Sequence, residues 1–198
     1  GRIKASLVLL AAGGAASPKL GGSDSGVKLL EALGHRVTPL IPSIVQLKTE
    51  LVTIRALTGI KVTGNVTLSE GKERYSESGE VLFTDYGLSG PPVMQLSCRA
   101  GRMLHQGRKP VIELDLAADY EEDALFAALK ERAEKRPFVL LENYLVGMFH
   151  KRVGQTALKA AGIAPLSKKA ESLTEKEIRA LTVQFKHWQL PVTGTMGL

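Results

Sequence analysis

The sequence predicts an α+β fold: a β-rich, barrel-like module, then a small helical module, flanked by a strand–helix piece of Rossmann type. Three observations carry this. A compact Leu/Val run ends in paired glycines near the N-terminus, apolar and polar residues alternate through the middle, and apolar residues then recur every three to four positions behind capping residues. With 198 residues, 44% apolar and 23% charged, the chain can bury a core, and disorder is excluded as its main state. No apolar run approaches the roughly 18 residues of a membrane-spanning helix. The single cysteine, Cys98, excludes an internal disulfide framework and a cysteine-built metal site.

Residues 1–43 form the first unit. Residues 5–12 read as a buried parallel strand, because a short Leu/Val run bounded by Gly13-Gly14 has no polar face to expose. A Gly/Ser/Pro loop follows. Val27, Leu29, Leu30 and Leu33 then share a helical side, and Gly34 stands where a helix-ending glycine belongs. A strand and helix cannot complete a sheet alone. Together with Gly1 in place of an initiator methionine, this predicts an internal piece of a longer protein.

Residues 44–118 form the β module. Ile60, Val62, Val66 and Leu68 alternate with polar residues, with Gly64 as an expected bulge or bend and Glu70-Gly71-Lys72 as a turn. Val81-Leu82-Phe83 and Val111–Leu116 supply further strands, and Cys98 is assigned to another. Residues 119–187 are helical. Asp119 with Glu122 predicts one capped helix carrying Leu125, Leu129 and Ala133 on one face, stopped by Pro137. Asn143–Ala161 adds one or two helices. Thr174 and Glu177 predict a second capping box ahead of Ile178, Leu181 and Phe185. Residues 188–198 return as a strand.

Twenty-six Lys and Arg against 20 Asp and Glu give a net charge of +6, which raises nucleic acid as a partner. The densest basic stretch, Arg99, Arg102, Arg108 and Lys109, has no interleaved aromatic residue on which bases would stack. A solvated hairpin or strand edge is the favoured reading there. A basic binding module contacting nucleic acid or a protein partner stays open as the alternative function.

Catalytic constellations are sparse. His35, His105, His150 and His187 lack metal-ligand spacing, and no Gly-x-Ser-x-Gly elbow occurs. The best candidate is the strand–glycine loop–helix unit. Gly13, Gly14, Gly21, Gly22, Ser23 and Gly26 let a backbone approach an anion, and could equally be tight turns. The second candidate runs from Gly79 to Pro92, where Thr84, Gly87, Ser89 and Gly90 shape a loop able to lie against a ligand or to act as a rigid turn.

These residues resemble a known family. Ala11–Pro18, Gly21-Gly22-Ser23, Leu33-Gly34-His35 and Pro39–Pro42, followed by Leu82-Phe83-Thr84 with Gly87, Ser89, Gly90 and Pro91, and closed by Val192–Thr195, are similar in order to the HI0933-like family of FAD-dependent flavoproteins. The resemblance implies an oxidoreductase whose flavin domain is split by an insert of a barrel-like and a helical part. Residues 1–43 would then belong to the flavin domain, and residues 188–198 would return toward it. It implies FAD contacts at Gly13, Gly14, Ser17, Gly22, Ser23, Thr84, Gly87, Ser89 and Gly90, with no metal and no assigned catalytic residue. The implied partners are FAD, a small-molecule substrate and NADH or NADPH, without nucleic acid or membrane. The implied compartment is the cytoplasm. The family's usual threonine is Ala12 here, its usual histidine is Asp85, and Asp24-Ser25 replaces glycine-aspartate, so the implied site is led by backbone. With most of the pyrophosphate site outside these residues, the chain alone is expected to bind FAD weakly or not at all.

Overall fold

The computed structural model describes residues 3–197. Its centre is a closed barrel of six strands in the order β1-β4-β3-β2-β5-β6. They are β1 (Leu47–Thr49), β2 (Lys61–Glu70), β3 (Glu73–Phe83), β4 (Gly87–Ser89), β5 (Val111–Asp115) and β6 (Trp188–Thr195). Every neighbouring pair is antiparallel. The alternation seen in the sequence sets which side chains fill the interior. Val66, Leu68, Val81, Phe83, Ile112, Leu114, Trp188 and Leu190 are all buried. Their polar neighbours face out and pair across strands, as Ser78 Oγ does in donating to Asn65 Oδ1 at 2.7 Å.

Gly64 is in register opposite Gly79, without a bulge. It serves a close approach instead: a Cβ there would lie 2.4 Å from the carbonyl oxygen of Asp115. Gly71, at φ +60°, makes the expected β2–β3 turn. The returning strand is β6, and the structure places it inside the barrel, where it joins β5 to β1.

Two expectations change at α2 (Pro91–His105). Cys98 lies on this helix rather than on a strand, and the Arg99–Lys109 stretch is its second half and following turn rather than a hairpin. The reason is local. Pro91 and Pro92 occupy the first helical positions, where the missing N–H costs nothing. Val93, Leu96, Ala100 and Met103 then fall on one buried face. Two of the basic residues in this stretch are engaged. The Arg108 guanidinium pairs with Glu70, and with Glu73 at 2.8 Å, while Arg99 stacks 3.9 Å over the Tyr75 ring.

Residues 5–12 form no strand. Leu7, Val8 and Leu9 are 87, 79 and 89% exposed. A strand needs a neighbour, and the six strands here close on one another, leaving this run no edge to join. The helix after it does form, as α1 (Ser25–Ala32).

The helical module comprises α3 (Glu122–Lys135), α4 (Leu141–Tyr144), α5 (Lys151–Ala160) and α6 (Glu175–Lys186). Leu125, Leu129 and Ala133 of α3 and Ile178, Leu181 and Phe185 of α6 are buried as expected. Thr174 and Glu177 form the full capping box. Asp119 does not cap α3. Glu121 takes the N-cap position, and the Tyr120 N–H instead closes a turn onto the Ala117 carbonyl. Tyr144 is buried and donates its hydroxyl to the Leu129 carbonyl, while Arg132 donates to the carbonyls of Tyr144 and Val146, tying α4 and the turn after it to α3. Gly154 lets α5 approach Leu145, whose Cβ would lie 2.8 Å from a side chain at that position.

Candidate functional site

The glycine loop is an exposed, self-contained turn. The Ser23 N–H donates to the Gly14 carbonyl at 2.9 Å, and the N–H groups of Leu20 and Gly22 donate to the Ser17 carbonyl at 2.8 and 3.2 Å. Gly22 must be glycine, since a Cβ would sit 1.8 Å from the Ala16 carbonyl oxygen. Ser17 takes a left-handed conformation at φ +55°, and the Ser23 hydroxyl accepts from the Ser25 N–H at 3.1 Å at the start of α1. Ser17, Gly22 and Ser23 therefore shape the loop. Gly13 and Gly14 differ, because nothing lies within 4 Å of where their Cβ atoms would be. Their backbone presents an open face that a flat or anionic group could approach closely.

The Thr84–Gly90 segment is built around the barrel. The Thr84 N–H donates to the Gly87 carbonyl at 2.9 Å, and the Gly87 N–H returns to Thr84 Oγ1 at 3.1 Å. Gly87, at φ +148°, lies where a Cβ would meet the Leu47 carbonyl oxygen at 2.4 Å. Gly90, at φ +109°, does the same against the Glu80 carbonyl at 2.2 Å. Ser89 is half-buried opposite Leu82 in the ladder. The start of α2 offers few free donors to an anion, because two of its first positions are proline. Among the described residues, no hydrogen bond joins the glycine loop to Thr84–Gly90.

A cavity of about 470 Å³ opens where the barrel meets the helical module. Three segments line it: Lys61–Thr63 of β2, Leu116–Tyr120 between β5 and α3, and Gly147–Val153 at the start of α5. Its size is that of a small-molecule site. Phe149 is fixed by stacking on Phe185, with ring centroids 4.0 Å apart. The Leu116–Tyr120 wall is held by Lys186, whose ammonium donates to Asp115 Oδ2 at 2.7 Å and to the carbonyls of Ala117 and Tyr120. His150 caps α5, and its Nδ1 accepts from the Arg152 N–H at 3.2 Å. The neutral ring then carries its proton on Nε2.

The register ties this cavity to the second candidate segment. Lys61 is opposite Leu82, and Leu82 is opposite Ser89. At roughly 4.8 Å per strand, the Thr84–Ser89 turn and the cavity share one end of the barrel. Sequence reasoning missed the cavity. The one local signal was His150 ahead of the amphipathic run Val153, Ala157, Leu158, a capping pattern that is easily passed over.

Comparison with known proteins places the chain. It is 31% identical over 183 residues to the 3-dehydro-bile acid delta(4,6)-reductase of Clostridium scindens, covering 90% of this chain and 45% of that protein. It is 28% identical over 196 residues to the ribosomal RNA dihydrouridine synthase of Escherichia coli, and 25% identical over 194 residues to that of Haemophilus influenzae. Each of these covers 96% of this chain, which spans less than half the length of these relatives. The family model described as the HI0933-like protein barrel and H2TH domain matches residues 41–198, which take in all six strands and α2 to α6, and the chain belongs to that family.

Proposed function

We propose that this chain is the barrel-and-helix part of an FAD-dependent oxidoreductase, within a longer protein, that draws electrons from NADH or NADPH and reduces a carbon–carbon double bond. The identity to a reductase across 90% of the chain carries this reading. The open backbone face at Gly13 and Gly14 supports it, because it fits close approach of a planar or phosphate-bearing group. Bound there, FAD would supply two-electron redox chemistry. Gly13 and Gly14 lie beside it in this reading, and Ser17, Gly22 and Ser23 hold the loop in shape. Thr84, Gly87, Ser89 and Gly90 fix the barrel end that faces the substrate, and residues 188–198 lead the chain back toward the flavin domain.

The cavity at that barrel end receives the substrate. Val62, Met148 and Phe149 supply the apolar wall and exclude water. The Nε2–H of His150 supplies a donor that orients a substrate carbonyl and holds a proton near the reacting carbon, and Lys61, which pairs with Glu80 at 2.8 Å, supplies a cation at the rim. Absorbance of the full-length protein tests this. An oxidised-flavin spectrum that bleaches with NADH or NADPH is expected, and a colourless protein that binds no FAD contradicts it.

A second reading concerns the substrate. Two relatives are named for ribosomal RNA, and a uridine within RNA is an unsaturated carbonyl compound that the same chemistry would reduce.

A further inference from the structure

The stretch Asn143–Ala170 contains five Lys and Arg, one His and no carboxylate, although the whole chain carries 20 acidic residues. It forms the end of α4, all of α5 and the loop beyond. Lys151, Arg152 and Lys159 are exposed on α5, and none has a carboxylate partner among the described residues. Arg55, likewise exposed and unpaired, sits on the short 3-10 turn Arg55–Leu57, which packs against α5. Between them runs a groove of about 280 Å³ lined by Val52, Thr53, Ala56, Thr156, Lys159 and Ala160, with no acidic side chain.

This differs from the Arg99–Lys109 stretch, where Arg108 is neutralised by Glu70 and Glu73. Further along, Lys169 pairs with Glu171 at 3.7 Å, which leaves the α5 cations, Arg55 and Lys168 without an ion pair among the described residues. The apolar face of α5, Val153, Ala157 and Leu158, is buried, so α5 itself has no apolar face free to lie in a lipid surface.

We propose that α5 and the Arg55 turn form a docking surface for the phosphate backbone of RNA, with Arg55, Lys151, Arg152 and Lys159 contacting phosphates. This contact is independent of flavin and deepens the RNA-substrate reading, so its failure is separable from failure of the flavoprotein assignment. This surface is distinct from the densest basic cluster of the sequence at Arg99–Lys109.

Binding of the chain to a fluorescent RNA hairpin, titrated at low salt and then across a salt series, tests this. Four phosphate contacts predict a slope of log K against log salt of about −3. The double variant Arg152→Glu/Lys159→Glu is expected to lose at least about tenfold in affinity, since each lost contact is worth a large share of an electrostatic interface. The control Lys72→Glu/Arg102→Glu, with the same change in net charge, should lose less than about threefold. Circular dichroism verifies that both variants fold, and the wild-type salt slope stands without them. A DNA hairpin of the same sequence is expected to bind more weakly than the RNA, and tighter binding of DNA overturns the assignment to RNA. No binding at low salt, equal losses in both variants, or binding to anionic phospholipid vesicles but not to RNA overturns the proposal.

Discussion

Lys186, the last residue of α6, places its ammonium 2.7 Å from Asp115 Oδ2 at the end of β5. Their side chains are 13 and 19% exposed. The same ammonium also donates to the carbonyls of Ala117 and Tyr120, and Asp115 Oδ1 accepts from the Ala117 N–H at 3.0 Å. One lysine thus holds the helical module to the barrel and fixes one wall of the cavity. Lys186→Met leaves a carboxylate and two carbonyls without their cation. The expected loss is about 3 kcal/mol, read as a lower urea midpoint.

Two glycines separate a structural role from a ligand role. Gly87→Ala drives a methyl group onto the Leu47 carbonyl and is expected to destabilise the chain by more than about 2 kcal/mol. Gly14→Ala meets nothing within 4 Å and should leave the melting temperature of the chain unchanged. In the full-length protein, Gly14→Ala is expected to weaken FAD at least about tenfold, since even a small backbone displacement at a close approach is costly. Thermal melts and FAD titration measure the two effects.

The Thr174–Glu177 capping box carries a pH signature. Hydrogen bonds from the Thr174 backbone and hydroxyl hold the Glu177 carboxyl below its ordinary value near 4.5. A depressed carboxylate contributes stability above its unfolded pKa and loses it as pH falls through the folded value. Thr174→Ala should therefore cost about 1 kcal/mol at neutral pH. The gap from wild type should narrow below about pH 4. Denaturation midpoints at several pH values check the trend.

The cavity yields a kinetic prediction. His150→Ala and Lys61→Ala in the full-length protein remove the two proposed substrate groups at exposed positions, the first also losing the α5 cap and the second the Glu80 ion pair. Each is expected to lower kcat/KM by about 10² or more while leaving the flavin spectrum unchanged. Loss of FAD in either variant would mean that the cavity belongs to the cofactor instead.

The barrel could be read in the sequence because its strands alternate cleanly, as Val66 and Leu68 do between polar neighbours, and α6 because Thr174 and Glu177 announce its start. Residues 5–12 have the composition of a buried strand, but a strand needs partners, and none of the six barrel strands pairs with them. Helix α2 was obscured by its basic outer face, which drew attention from the three-to-four spacing of Val93, Leu96, Ala100 and Met103. The glycine loop was recognisable, though which glycines are tight and which are open depends on backbone approaches such as that at Gly22. The cavity was invisible because Lys61, Asp119 and His150 meet only through the fold.

The absorbance spectrum of the purified full-length protein, before and after NADH or NADPH, tests the central claim most directly. The account predicts oxidised-flavin absorbance that bleaches with one of the two nicotinamides and returns when a carbon–carbon double-bond substrate is added. A protein that is colourless and stays so with added FAD would contradict it.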